Sequence, residues 1–319
     1  MPFLLAAGRV PSSEIWAWHA HPEVWVLVGA LAGLYIYAAR VIGPKVVPAG
    51  TPPVTRRQWL AFAAAMLLLW FASDWPVHDI GEQYLFFVHM SQHLLLTLVM
   101  PPLFLLATPR WLADLVLGSG RVRRAVRTLA LPVVAGVIYN AAVIFTHWPP
   151  VVDAAVGHAW AHFGLHLLVV TTALLMWTPV CGPIEEWRIS LPAQMIYLFL
   201  MSVIPTVPGA WLTFAANPLF TAYDTPQRAF GISAVDDQQA AGLIMKLAGG
   251  SYLWAIITSM FFVWAARHEK AQASDRTVTE REIANWNGGR PALTYDEVER
   301  EFARTAPASE PVRPPDRST

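Results

Sequence analysis

The chain has 319 residues, 55% of them hydrophobic and only 14% charged, with 22 basic side chains balancing 22 acidic ones. A soluble globular domain carries roughly a quarter charged residues, so the composition argues against a soluble fold, and zero net charge offers no general attraction to nucleic acid. The single cysteine, Cys181, excludes an internal disulfide framework and a CxxC metal knuckle.

Seven segments are long and apolar enough to cross a hydrocarbon core of about 30 Å. In chain order they cover residues 24–42, 58–71, 83–107, 129–145, 159–177, 193–214 and 240–266. The expected fold class is all-α: a polytopic integral membrane protein, a bundle of seven transmembrane helices. Pro101-Pro102 is expected to kink the third span, and Pro205 with Pro208 to interrupt the sixth. The opening MPFLLAAGRVPSS lacks the basic start and long apolar stretch of a secretory signal, so the first span is expected to target the chain. From about Glu269 the sequence turns polar. The expected organisation is a membrane domain over residues 1–268 and a polar cytoplasmic tail over residues 269–319. A short surface helix is expected to begin within residues 277–283, and the last dozen residues are expected to be disordered.

Charge patterning tests the span count with separate information. Arg40, Lys45, Arg56 and Arg57 surround the first connection, Arg110, Arg121, Arg123, Arg124 and Arg127 the third, and Arg188 lies in the fifth. Arg267 and Lys270 begin the tail, whereas the alternate connections are nearly free of basic residues. Basic loops stay cytoplasmic, so the N-terminus is expected outside and the C-terminus inside, as an odd number of spans requires.

With that orientation nine of the ten histidines fall toward the extracytoplasmic side. His89 and His93 are i,i+4 in the third span, and His158, His162 and His166 repeat at the same interval into the fifth. Such spacing puts side chains on one helix face, and the three-histidine stripe is roughly 12 Å long. Ionisable groups at membrane depth face a bundle interior or wet cavity, and neutral imidazole is the commonest metal ligand. The candidate metal ligands are therefore His89, His93, His158, His162 and His166, with His147 at the end of the fourth span as an addition. His19, His21 and His78 lie in loops that water can satisfy. Met90, Met100, Met195, Met201 and Met245 lie within spans and would favour Cu(I) if they met the histidines. Asp74, Asp79, Glu82, Asp236 and Asp237 gather on the same side and could orient imidazoles or attract a cation.

The blocks HMSQHLLL and GHAWAHFGLHLLVV, with PTVPGAWLTFA, PLFTAY and DDQQAAGLIMKLAGG, resemble the CtaG family of cytochrome c oxidase assembly factors over about residues 16–267. The resemblance implies a seven-span protein of the bacterial plasma membrane that supplies copper to a heme–copper oxidase. It also implies cytochrome c oxidase subunits and other copper chaperones as partners, with membrane lipid around the bundle. It brings no ligand set. No HExxH, GxSxG, P-loop or GxGxxG motif is present, so an assembly factor is expected rather than an enzyme. Two rivals stay open. His93 and His166, at similar depth, could be axial ligands of a heme in an electron-transfer protein, and the interrupted sixth span could belong to a copper transporter.

Overall fold

The computed structural model describes residues 11–156, 158–220, 223–224, 228–286 and 294–304. The fold is all-α. Among the described residues six helical stretches are long and apolar enough to cross a membrane, and a bent pair supplies the seventh. The chain forms two compact units, Met1–Phe261 and Phe262–Thr319.

The first span, α1 (Pro22–Val46), starts with proline at its first position, where a missing N–H costs nothing. The second comprises α2 (Arg56–Ser73), closed at its start by a Thr55–Gln58 capping box, and a short α3 (Val77–Gln83). The third is α4 (Phe86–Ala107). The basic loop then folds as α5 (Arg110–Leu117) and α6 (Arg121–Leu129) before α7 (Pro132–Thr146). A short α8 (Pro149–Val156) leads to the fifth span, α9 (Ala159–Cys181). The sixth is α10 (Leu191–Val203) followed by α11 (Thr206–Phe214). The seventh is α12 (Ala234–Trp286), and α13 (Tyr295–Arg304) follows.

Two expectations change in detail. The fourth span is α6 and α7 meeting at 72°, so Leu129 ends the basic helix rather than opening the apolar one. Leu131 is extended at ψ 135° ahead of Pro132, which disfavours a helical residue before it. The seventh helix continues past residue 266, so residues 277–283 fall within it instead of beginning a separate helix. The last dozen residues lie outside the described set.

The third span absorbs its proline pair without breaking. A wide π-turn at Leu95–Val99 precedes Pro101 and Pro102. Thr97's carbonyl would normally accept from residue 101, or from residue 102 in a π-turn, and both are prolines with no N–H. Trp177 of α9 instead donates its indole N–H to that oxygen at 3.1 Å. The sixth span does break, with Pro205 closing one helix and opening the next.

Among the described residues four buried side-chain clusters hold the bundle, one of them packing Met90 of α4 against Met245 of α12. Tyr35, Phe62, Met66, Leu96 and Met100 tie α1 and α2 to α4. Tyr139, Met176, Trp177, Leu198 and Leu253 tie α7, α9, α10 and α12 together. Lipid tails are as apolar as leucine, so packing and interhelical hydrogen bonds stabilise such contacts more than exclusion of water does. Close approach matters accordingly. A Cβ on Gly242 of α12 would lie 2.5 Å from the Gly209 carbonyl of α11. Large apolar side chains such as Leu34, Leu67, Val133 and Val137 stay exposed, as expected of helices that face lipid.

Candidate metal centre

The site begins with a tight junction. Gly81, near the end of α3, packs so closely on α4 that a Cβ there would sit 3.0 Å from the His89 amide nitrogen. The start of α4 is fixed from the other side, where Asp237 of α12 accepts from the amides of Phe86 and Phe87 at 2.8 and 2.9 Å. A carboxylate there satisfies amides that have no partner in their own helix and meets the positive end of the helix dipole. These two constraints place Glu82, from α3, beside His89, one turn inside α4.

Helix α9 brings the opposing face. Glu82 Oε1 lies 2.7 Å from His162 Nε2, 2.9 Å from His89 Nδ1 and 3.7 Å from His166 Nε2. His162 Nε2 and His166 Nε2 are 2.8 Å apart. One ligand atom from each of Glu82, His89, His162 and His166 falls within 4.8 Å of the other three. Glu82 Oε1 and His89 Nδ1 are buried without an aligned hydrogen bond, despite their proximity. Buried polar atoms are rarely left so. Ligand atoms packed together without aligned hydrogen bonds are what a cation coordinated between them would use. Three imidazoles and one carboxylate suit a transition-metal ion, so the cluster is a potential metal site.

The remaining histidines divide. His93 sits 4.7 Å, between ring centres, from His166 and 4.6 Å from His89, so it adjoins the cluster. His147 is 6.1 Å from His93. His158 is exposed at the start of α9 and donates through Nδ1 to the Ala154 carbonyl at 3.1 Å. The three-histidine stripe therefore contributes two rings to the cluster.

The loop histidines are less free than their position suggests. His19 Nδ1 and His21 Nε2 contact the two oxygens of buried Asp79 at 3.0 and 2.7 Å. Burial would lower the His21 pKa, but hydrogen bonds to Asp79 and Glu23 outweigh it, and the net shift is upward from 6.5. His78 Nδ1 lies 3.3 Å from the Gln92 amide nitrogen. Asp74 accepts from the indoles of Trp25 and Trp70 at 2.7 and 2.6 Å, and Asp224 pairs with Arg228. Of the acids singled out on this side, Glu82 is the one that joins His89, His162 and His166, while Asp79 holds the two loop rings. The separation of Glu82 from His89 is a two-turn interval in sequence, but the chain leaves helix at Tyr84–Leu85. Helical spacing therefore gave no reason to pair them.

The space at the cluster is small. A cavity of about 30 Å³ is lined by His89, His93, His147, His162 and His166, with Tyr223 among the other walls. Burial pushes the Tyr223 phenol well above its usual range, and Glu82 and Asp237 add to the shift. It stays protonated and makes a long 3.4 Å contact to the Gly81 carbonyl.

A family model described as cytochrome c oxidase caa3 assembly factor (Caa3_CtaG) matches residues 33–267. An uncharacterized protein of Mycobacterium bovis and another of Mycobacterium tuberculosis are each 26% identical over 242 residues, covering 70% of this chain and 35% of theirs. The chain thus spans about a third of the length of the curated relatives it matches. No solved structure matches.

Proposed function

The chain belongs to the cytochrome c oxidase caa3 assembly factor family, and on that footing we propose that it carries copper to a heme–copper oxidase without itself catalysing a reaction. Copper is its cargo. The observation that carries the reading is the convergence of Glu82, His89, His162 and His166, with two buried ligand atoms lacking hydrogen-bond partners. His93 adjoins them as a further ligand, whereas the exposed His158 lies outside them. A site that must release its ion does well with several weak ligand choices rather than one closed shell.

The cluster faces the extracytoplasmic side in this proposal, where an oxidase copper centre can be reached. The basic connections support that orientation. Arg110 pairs with Glu186 at 2.7 Å, which brings the third and fifth connections to one end of the bundle. Lys and Arg concentrate in loops that remain cytoplasmic. Cytochrome c oxidase subunits are the receiving partners, and other copper chaperones the donors. The tail beyond residue 268 lies in the cytoplasm.

A cavity of about 30 Å³ supports an ion in preference to a porphyrin, since the rings that would be axial ligands already touch. Metal analysis of the purified full chain, with an absorption spectrum on the same sample, tests the proposal. The expected result is bound copper without a Soret band, and copper-deficient oxidase in cells lacking the protein. Stoichiometric heme, or fully metallated oxidase in those cells, would refute it.

A further inference from the structure

Next to the Glu82 cluster lies a second pair of donors with a different chemistry. His147 Nδ1 is 2.7 Å from the Val143 carbonyl oxygen. A carbonyl only accepts, so in the neutral ring Nδ1 carries the proton and Nε2 is a bare lone pair. That Nε2 lies 3.4 Å from the Met90 thioether sulfur, which is also an acceptor. Two buried acceptors thus face each other with no proton between them, on residues 7% and 3% exposed.

We infer that Met90 Sδ and His147 Nε2 form a second metal site, selective for a soft monovalent ion such as Cu(I), distinct from the carboxylate–imidazole cluster. The spacing fits. Nitrogen and sulfur ligands about 2.0 and 2.3 Å from one tetrahedral ion lie about 3.5 Å apart. The hydrogen bonding fits too, because metal-bound imidazoles commonly donate their other N–H to a backbone carbonyl. Thioether sulfur is a soft ligand that favours Cu(I) over harder divalent ions.

The surroundings supply further donors. Met90, His93 and His147 line the 30 Å³ cavity and also a second cavity of about 50 Å³, into which Met176, Met201 and Met245 face. Met245 is buried in the same side-chain cluster as Met90. Met201 already accepts from Asn140 Nδ2 at 3.3 Å, so Met245 is the better third ligand. His93, between His166 and His147, is the ring through which an ion could pass from one site to the other.

The inference stands apart from the copper assigned to the Glu82 cluster, and its test separates them. The full chain is purified in detergent, loaded anaerobically with Cu(I), and read by metal content and copper-edge X-ray absorption. Wild type should show sulfur in the copper shell. Met90→Leu, close in volume, should lose that sulfur and one equivalent of copper, while Glu82→Gln keeps the sulfur. Should Met90→Leu fail to accumulate, His147→Gln provides the same loss of one equivalent. Absence of sulfur in wild type, an unchanged sulfur shell in Met90→Leu, or full copper content in His147→Gln overturns the site.

Discussion

Glu82 and His162 come from different helices, yet Glu82 Oε1 stops 2.7 Å from His162 Nε2, and His89 approaches the same oxygen at 2.9 Å. A carboxylate shared by two imidazoles is the anionic centre of the cluster. Glu82→Gln keeps the size and removes the charge. Copper affinity should fall by about tenfold to a hundredfold or more, read by competition with a chromophoric chelator. Unaltered affinity would remove Glu82 from the ligand set.

The histidines should separate by position. His162→Ala should abolish stoichiometric binding at the Glu82 cluster and oxidase maturation at normal protein abundance. His158→Ala should do little, since that ring is exposed and bonded only locally to Ala154. Oxidase copper content in cells carrying each variant checks the contrast. Equal defects would mean that the exposed ring is needed for transfer as well.

Trp177 replaces the amide that Pro101 and Pro102 withhold from Thr97. Trp177→Phe should therefore lower stability by roughly 1 kcal/mol from the lost interhelical hydrogen bond, with a further loss from the smaller ring. Reversible unfolding in mixed detergent gives the measurement. Adding Pro101→Ala should recover part of the loss, because residue 101 then offers an N–H to the same oxygen. A double variant no more stable than the single one counts against this account.

His21 provides a pH-dependent contact. Its pKa is raised from 6.5 because the bonds to Asp79 and Glu23 outweigh burial. A raised histidine pKa means the contact's stabilisation is complete below the unfolded value and is lost as pH rises through the folded one. Asp79→Asn should lower the His21 midpoint, since only the bond to Glu23 then opposes burial. Histidine-labelled NMR in micelles reads the midpoint. An unshifted midpoint would show that Asp79 does not hold the ring.

Reporter fusions settle the orientation. Fusions at Ser12 and beyond Arg304 should report opposite faces of the membrane, with Ser12 outside. Both signals on one side would overturn the seven-span arrangement.

The amino-acid sequence by itself determined the membrane class, the number of spans and the pairing of His89 with His93 and of His162 with His166. Each depends on a short window: hydropathy is a sum along one segment, and the i,i+4 face follows from the helical repeat. The placement of Pro205 was also sufficient to end a helix there. Only the tertiary structure decided which faces meet. Contact between α4 and α9 depends on how each helix is rotated and how closely it packs, neither of which a single segment encodes. The same holds for Asp237, which looked like a metal partner and proves to be a cap on α4. Glu82 enters through a backbone turn at Tyr84–Leu85, where helical spacing no longer predicts direction. The Met90–His147 pair joins residues 57 positions apart, and only the packing of α7 against α4 brings the imidazole to the sulfur.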